Sequence, residues 1–279
     1  MHYKGKIMAT KEQKELSGIL KGTDDIIKAH LGNHNHGSVG KYLHKAPEVF
    51  SPKDLLNELI TEIEKNLKTA RNPDSGVILG ESKENWRELP PTQKHDKRKP
   101  ERELEHNLVC TGESDANWKW WNQMPIASGL VEHTADKTRA IDLACQNKAN
   151  LLHYRLIELK VNRNAGAPLS ALMEILRYGL VYYVLRKNRG ETWLKDISLV
   201  QPIFKANLIE LFVLAPKDYF AGYKLGWLET SLTVVLNEIV KSENVEFNLS
   251  SYRFAELEKY SELNNENMAS YLTQWKKAY

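Results

Sequence analysis

The sequence predicts an α/β (α+β) fold in which helices pack on a mixed central sheet. Three apolar segments joined by short polar links follow one another over residues 129–161, which indicates an antiparallel meander. A long helical segment then leads to another apolar strand over 208–215, and such a crossover helix is typical of a mixed sheet. The chain of 279 residues is 42% apolar, which is enough for a sizeable core.

An N-terminal helical region is expected over residues 1–100. An amphipathic helix is predicted over 11–31, with an interruption near Gly22, and the glycine- and histidine-rich stretch GNHNHGSVGKYLHKAP after it is loop-like. The next helix begins near Ser51 and Pro52, a candidate N-cap and first-turn proline, and carries its leucines and isoleucines on one stripe. The charged, proline-bearing segment over 88–103 indicates a surface loop or linker.

The core is expected over residues 101–250. Its first strands are predicted at 129–134, 138–146 and 151–161, with the polar links ADK and NKAN between them. A helix starts at about Pro168 and ends in the basic segment RKNRG. The remaining predicted elements are a strand at 208–215, a helix at 226–242 and a last strand at VEFNLSS. The tail, residues 251–279, is predicted to be helical and exposed.

The stretch LIELKVNRN, residues 156–164, places a carboxylate and an ammonium two residues apart in an apolar strand. Since side chains alternate along a strand, Glu158 and Lys160 share one face, and Leu159 lies on the other. The preceding strand carries one acid, Asp142, which a short turn can place opposite or diagonal to Glu158. Two carboxylates at that range disfavour joint ionisation unless a cation lies between them. A hard ion such as Mg²⁺ takes such oxygen ligands, and a lysine beside it can orient or deprotonate a water or neutralise a phosphate.

Asp142, followed by Glu158-Leu159-Lys160 on the next strand and then by a helix, resembles the PD-(D/E)XK nuclease superfamily. The resemblance covers roughly residues 101–215 and implies the restriction-endonuclease-like fold with an αβββαβ core. It implies that Asp142 and Glu158 bind Mg²⁺, for which Mn²⁺ can substitute, that the carbonyl of Leu159 helps, and that Lys160 assists the attacking water. The family often has a proline before the first acid, whereas this chain has Ile141.

The resemblance also implies an acid on the first core helix. Glu105 is preferred because it lies closer to the strands, and Glu62 is the alternative if that helix is 52–70. The family's helix after the motif often adds a polar residue that faces the site. The candidates for this supporting role are Glu174, Arg177 and Tyr178. The basic residues expected to flank the site and contact phosphate are Arg155, Arg163 and Lys148.

Other sequence signals favour structural roles. His34, Asn35 and His36 are consecutive, so they predict a solvated loop rather than an HNH or zinc site. The cluster NWKWWNQM can stack on bases, but core or inter-domain packing is the preferred interpretation. The basic run KHDKRKPER is interpreted as a solvated loop.

Together these observations predict a Mg²⁺-dependent nuclease acting on DNA, with RNA and a homodimer left open. One alternative is a catalytically inactive nuclease fold that binds nucleic acid or a partner protein. Another is an enzyme of a different type that uses His30, His34 and His36. Two cysteines without paired spacing, no signal peptide and no apolar run near ~18 residues predict a soluble, cytoplasmic protein without a membrane partner.

Overall fold

The computed structural model describes residues 19–32, 50–71, 80–81, 100–126, 130–131, 140–161, 166–189, 191, 202–255 and 274–279. The helices in these ranges are α1 (Thr23–Leu31), α2 (Pro52–Arg71), α3 (Pro100–Gly112), α4 (Pro168–Lys187) and α5 (Gly226–Val240). The strands are β1 (Gly80–Glu81), β2 (Trp118–Pro125), β3 (Leu130–Val131), β4 (Ala140–Asn147), β5 (His153–Leu159), β6 (Leu208–Ala215), β7 (Glu246–Phe254) and β8 (Trp275–Lys277). Short 3₁₀ turns cover Pro202–Lys205, Lys217–Phe220 and Lys241–Glu243.

Six strands form one mixed sheet in the order β2-β4-β5-β6-β7-β8. β2, β4 and β5 are an antiparallel meander, β5, β6 and β7 are parallel neighbours, and β8 closes the edge antiparallel to β7. The parallel pairs are joined through α4 and α5, because parallel strands require a crossover connection. The predicted α/β fold with a mixed sheet is therefore confirmed. Apart from the two-residue strand β3, which belongs to the separate small sheet, α3, β2, β4, β5, α4 and β6 follow one another in the order αβββαβ.

The first strand of the meander is not where the sequence placed it. Of the segment expected at 129–134, the structure describes Leu130–Val131, which pairs with Gly80–Glu81 in a separate two-stranded sheet. The meander begins instead with β2, which contains the tryptophan cluster. Trp120 and Trp121 are buried in the hydrophobic clusters on opposite faces of the sheet, which confirms their expected packing role. Aromatic side chains stabilise strands because they pack well on a half-buried sheet, and this explains why a segment with polar residues between its tryptophans forms a strand.

Helices cover both faces of the sheet. α1, α2, α4 and α5 share the larger core on one face, and α3 packs over a smaller core on the other. α4 is buried almost all round, and Gly179 lets it approach β6, since a Cβ there would lie 2.6 Å from Leu211 Cδ1. The apolar stripe of α2, exemplified by Leu59 and Ile63, enters the same core as α4.

The ends of the chain differ in part from expectation. β7 extends to Phe254 and Trp275–Lys277 is a strand, so the described part of the tail is extended where a helix was expected. The predicted helical residues 256–273, the histidine loop with His34 and His36, and most of the linker over 88–103 lie outside the described residues. In the ranges that are described, no helix has the length and apolar character needed to cross a membrane.

Candidate active site

Asp142 and Glu158 come together where β4 and β5 begin to separate. The register pairs Leu143 with Ile157, and one further step places Asp142 opposite Glu158. At the next residue of β5, a side chain replaces the partner strand's backbone as the acceptor: the backbone N–H of Leu159 donates to Asp142 Oδ2 at 2.8 Å. The structure thus brings the two sequence-predicted acids to one place at the carboxyl end of β5.

Lys160 is held among carboxylates directly after β5. Its Nζ donates to Glu158 Oε1 and lies 3.6 Å from Glu101 Oε1 and 3.9 Å from Glu174 Oε2. Burial opposes its charge, but Glu158, Asp142, Glu174 and Glu101 together raise the pKa of Lys160 above its ordinary value. The side chain is therefore a charged ammonium, which can donate hydrogen bonds but has no lone pair with which to accept a proton.

Two acids reach the site from α3. Gln123 Nε2 donates to Glu105 Oε2 at 2.6 Å, and burial, followed by the charge of Asp142, raises the pKa of Glu105 to about 8. Glu101 lies one helical turn earlier and was missed by the sequence analysis, although its i, i+4 spacing from Glu105 was a usable signal. The alternative acid Glu62 is on α2 and pairs with Lys65 at 3.0 Å, outside the site.

The cluster contains more acidic than basic side chains. Burial, followed by the charge of Asp142, raises the pKa of Glu158 well above its ordinary value. Burial likewise raises the pKa of Asp142 to about 7, although the positive charge of Lys160 opposes this rise. Burial also raises the pKa of Glu101, again against the effect of Lys160. Asp142 and Glu105, whose pKa values rise to about 7 and about 8, therefore retain protons near neutral pH unless further positive charge arrives.

Of the three supporting candidates on α4, two reach the site. Tyr178 Oη donates to Glu174 Oε1 at 2.9 Å, and Glu174 in turn faces Lys160. Arg177 was expected to face the site but does not. Its Nη1 donates to Thr23 Oγ1 at 3.1 Å and pairs with Asp24, so Arg177 attaches α1 to α4. Residues 174 and 178 are four apart on one helix face, whereas residue 177 points about 60° away from 174 around the helix and 100° from 178.

The expected flanking position of Arg155 and Lys148 is also wrong. Lys148 is in the β4–β5 turn, at the opposite end of the hairpin from Asp142 and about 20 Å away at 3.3 Å per residue, whereas Arg155 is three residues from Glu158 and therefore on the opposite face of β5. Arg155 lies over the Trp118 ring at 3.8 Å and donates to Glu210 at 2.7 Å, and the ammonium of Lys148 donates to the carbonyl of Asp115. The third candidate, Arg163, is outside the described residues.

The donor set suits a hard divalent cation in its chemistry. Asp142 and Glu158 offer carboxylate oxygens of the kind that Mg²⁺ prefers, and burial raises the pKa of both groups although the charge of Lys160 opposes the rise. As the side chains stand in the described part of the chain, no group of three or more His, Cys, Asp or Glu residues is arranged as metal ligands. Lys160 bonds to Glu158 in this arrangement, so a cation that binds Glu158 must compete with this ammonium.

Comparisons of the chain with protein-family models, with curated proteins and with solved structures found no match. The functional assignment therefore rests on the residues of the site and on the order of the elements that carry them.

Proposed function

We propose that this chain is a Mg²⁺-dependent nuclease of the PD-(D/E)XK type that hydrolyses phosphodiester bonds in DNA. The observation that carries the proposal is the meeting of Asp142, Glu158 and Lys160 at the end of two neighbouring strands, with an excess of buried acid around them. The αβββαβ order of the surrounding elements and the resemblance in the motif support the same assignment.

In the proposed reaction, a water oxygen forms a bond to phosphorus and the ester P–O bond breaks. The water loses a proton to solvent and the leaving oxygen takes one up from solvent, so the products are one phosphate end and one hydroxyl end. A bound Mg²⁺ would be held by Asp142 and Glu158, with the Leu159 carbonyl assisting, and would supply positive charge at the phosphate and activate the water. Lys160 is charged, so its role is to orient the water and neutralise phosphate charge rather than to take up a proton. Asp142 is kept in place by the N–H of Leu159.

Glu105 and Glu174 complete the acidic surroundings in this proposal. The pKa of Glu105 is raised by burial and by the charge of Asp142, and Gln123 holds its carboxyl group by a hydrogen bond. In this proposal Glu105 is one of the acids that attract the cation. Glu174 approaches Lys160 from α4 and is itself fixed by Tyr178. These contacts limit the positions that the ammonium can adopt beside the reacting phosphate.

The test is cleavage of supercoiled plasmid DNA in the presence of Mg²⁺ or Mn²⁺. We expect Lys160→Ala to lower the rate by about 10²–10³-fold, the usual effect of removing one preorganised donor of positive charge. Lys148→Ala is the matched control, because it removes a lysine from the far end of the same hairpin, and it should leave cleavage unchanged. Cleavage that is equally fast in the Lys160→Ala protein would remove this mechanism. The same assay with an RNA substrate shows which nucleic acid is cleaved. Size-exclusion chromatography of the same proteins shows whether the chain is a monomer or a dimer.

The second candidate function is a nuclease fold without catalysis that binds nucleic acid or a partner protein. The ion pair between Lys160 and Glu158 favours this second candidate, because the ammonium already occupies one of the two carboxylates that would bind the metal ion. This candidate predicts normal folding, no heat of Mn²⁺ binding in calorimetry, and equal behaviour of the wild-type and Asp142→Ala proteins. A different enzyme built on His30 has less support, since His30 Nε2 pairs with Glu58 at 3.2 Å on α2.

A further inference from the structure

Tyr219 lies beside the acid cluster, although nothing in the motif points to it. It belongs to the 3₁₀ turn Lys217–Phe220, which begins two residues after β6 ends. β6 is the parallel neighbour of β5, and the backbone N–H of Lys160 donates to the carbonyl of Leu214 at 3.0 Å. The turn is closed by the N–H of Tyr219, which donates to the carbonyl of Pro216 at 3.1 Å. Tyr219 is therefore fixed at the same edge of the sheet as Lys160.

The hydroxyl of Tyr219 is buried and has no hydrogen-bond partner in the part of the chain that the structure describes. The residue is 0% exposed, its ring packs edge-on against Phe220 with centroids 5.2 Å apart, and its Oη has no hydrogen bond within the described ranges. Buried polar atoms in native proteins are nearly always paired, with protein or with water. An unpaired hydroxyl at the rim of a charged site therefore points to a partner that reaches it in another state of the site.

The charged groups around Tyr219 are those of the acid cluster. Burial is the first cause that raises the pKa of Tyr219, while the charge of Lys160 opposes the rise and Glu158 and Glu101 add to it. Tyr223, from the same segment, adds a smaller effect. The phenol is therefore neutral, and its oxygen can accept a hydrogen bond. Lys160 supplies the matching chemistry, since its ammonium carries three N–H donors.

We propose that Tyr219 is a positioning residue, whose hydroxyl oxygen accepts a hydrogen bond from the Lys160 ammonium when a divalent cation takes up Glu158. The inference rests on the proposed function for the arrival of that cation. Glu158 is the nearest partner of the ammonium in the structure, and a cation that binds Glu158 takes this partner away. The hydroxyl of Tyr219 then replaces it inside the protein and keeps Lys160 beside the reacting phosphate.

Tyr219→Phe and Tyr279→Phe make a matched pair for the first measurement. Tyr279 also has a buried Oη without a partner among the described residues and also packs on Phe220, but the charge that it faces is Glu229 rather than Lys160. In plasmid cleavage at saturating Mg²⁺, Tyr219→Phe should lower kcat about tenfold, the effect of one hydrogen bond, with KM for DNA and the Kd for Mg²⁺ unchanged. Tyr279→Phe should leave all three values within about twofold of wild type. Equal kcat values in the two variants would overturn the inference.

A second measurement does not depend on cleavage. The ¹⁵Nζ resonance of Lys160, assigned by its absence from the Lys160→Ala spectrum, is followed at fixed pH while Mg²⁺ is added, with binding monitored by calorimetry. We expect a Mg²⁺-dependent shift in wild type and Tyr279→Phe that is reduced in Tyr219→Phe. The same shift in all three proteins overturns the role of Tyr219, even if DNA is cleaved. A Tyr219-dependent shift without cleavage supports that role and removes the proposed nuclease function, and an absence of Mg²⁺ binding overturns both.

Discussion

Raising the pH should destabilise the protein in the absence of divalent cations, because the folded acid cluster retains protons that the unfolded chain has lost. Burial and Asp142 raise the pKa of Glu105 from 4.5 to about 8, so the folded state binds more protons than the unfolded state between these two pH values. The free energy of unfolding must therefore fall as the pH rises through this window. One retained proton corresponds to about 1.4 kcal/mol per pH unit, or about 3 kcal/mol between pH 5 and 7.

The assay is urea unfolding in EDTA at constant ionic strength, followed by tryptophan fluorescence. Glu105→Gln is the matched variant, because an amide can still accept the bond from Gln123 but does not titrate. Its free energy of unfolding should fall less steeply with pH, by up to about 1.4 kcal/mol per unit. Adding Mg²⁺ should stabilise the wild type more at pH 8 than at pH 5, since the ionised acids bind the cation. A stability that is constant or rises between pH 5 and 7, with the same slope in both proteins, would refute this reasoning.

Two further predictions concern the packing around the site. Arg177→Ala should destabilise the fold by about 1–3 kcal/mol and increase proteolysis near α1, because the bond to the buried Thr23 hydroxyl and the ion pair with Asp24, which attach α1 to α4, are both lost. Unchanged urea unfolding and proteolysis would contradict this prediction. Gly179→Ala should cost about 1–3 kcal/mol through overpacking against Leu211, and combining it with Leu211→Val should recover part of that loss in thermal unfolding. A Gly179→Ala protein as stable as wild type would contradict this prediction, because it would show that Leu211 can move away from the added Cβ at no cost.

The elements that depend on local interactions were predicted best. The helix from Pro168, the strand at 208–215 and the hairpin that carries Asp142 and Glu158 were predicted well, since apolar periodicity and turn residues are local signals. β2 was missed because its tryptophans are buried on both faces only once β4 and the helices are in place. Arg155 was misplaced although its position was predictable: it is three residues from Glu158 on β5, and the alternation of side chains places the two residues on opposite faces of the sheet.

The local pattern of the chain was enough to place Glu158 on a strand, Lys160 two residues further along and Asp142 on the neighbouring strand, because apolar runs predict strands and the connecting turn is short; Lys160 itself lies directly after β5. Only the tertiary structure decided that Glu101 and Tyr219 join them, and that the ammonium of Lys160 bonds first to Glu158. These contacts depend on how α3 and the turn after β6 pack on the sheet. Such packing is set by shape and burial between segments far apart in the chain, whereas a local pattern such as the i, i+4 spacing of Glu101 and Glu105 shows only that two side chains share a helix face.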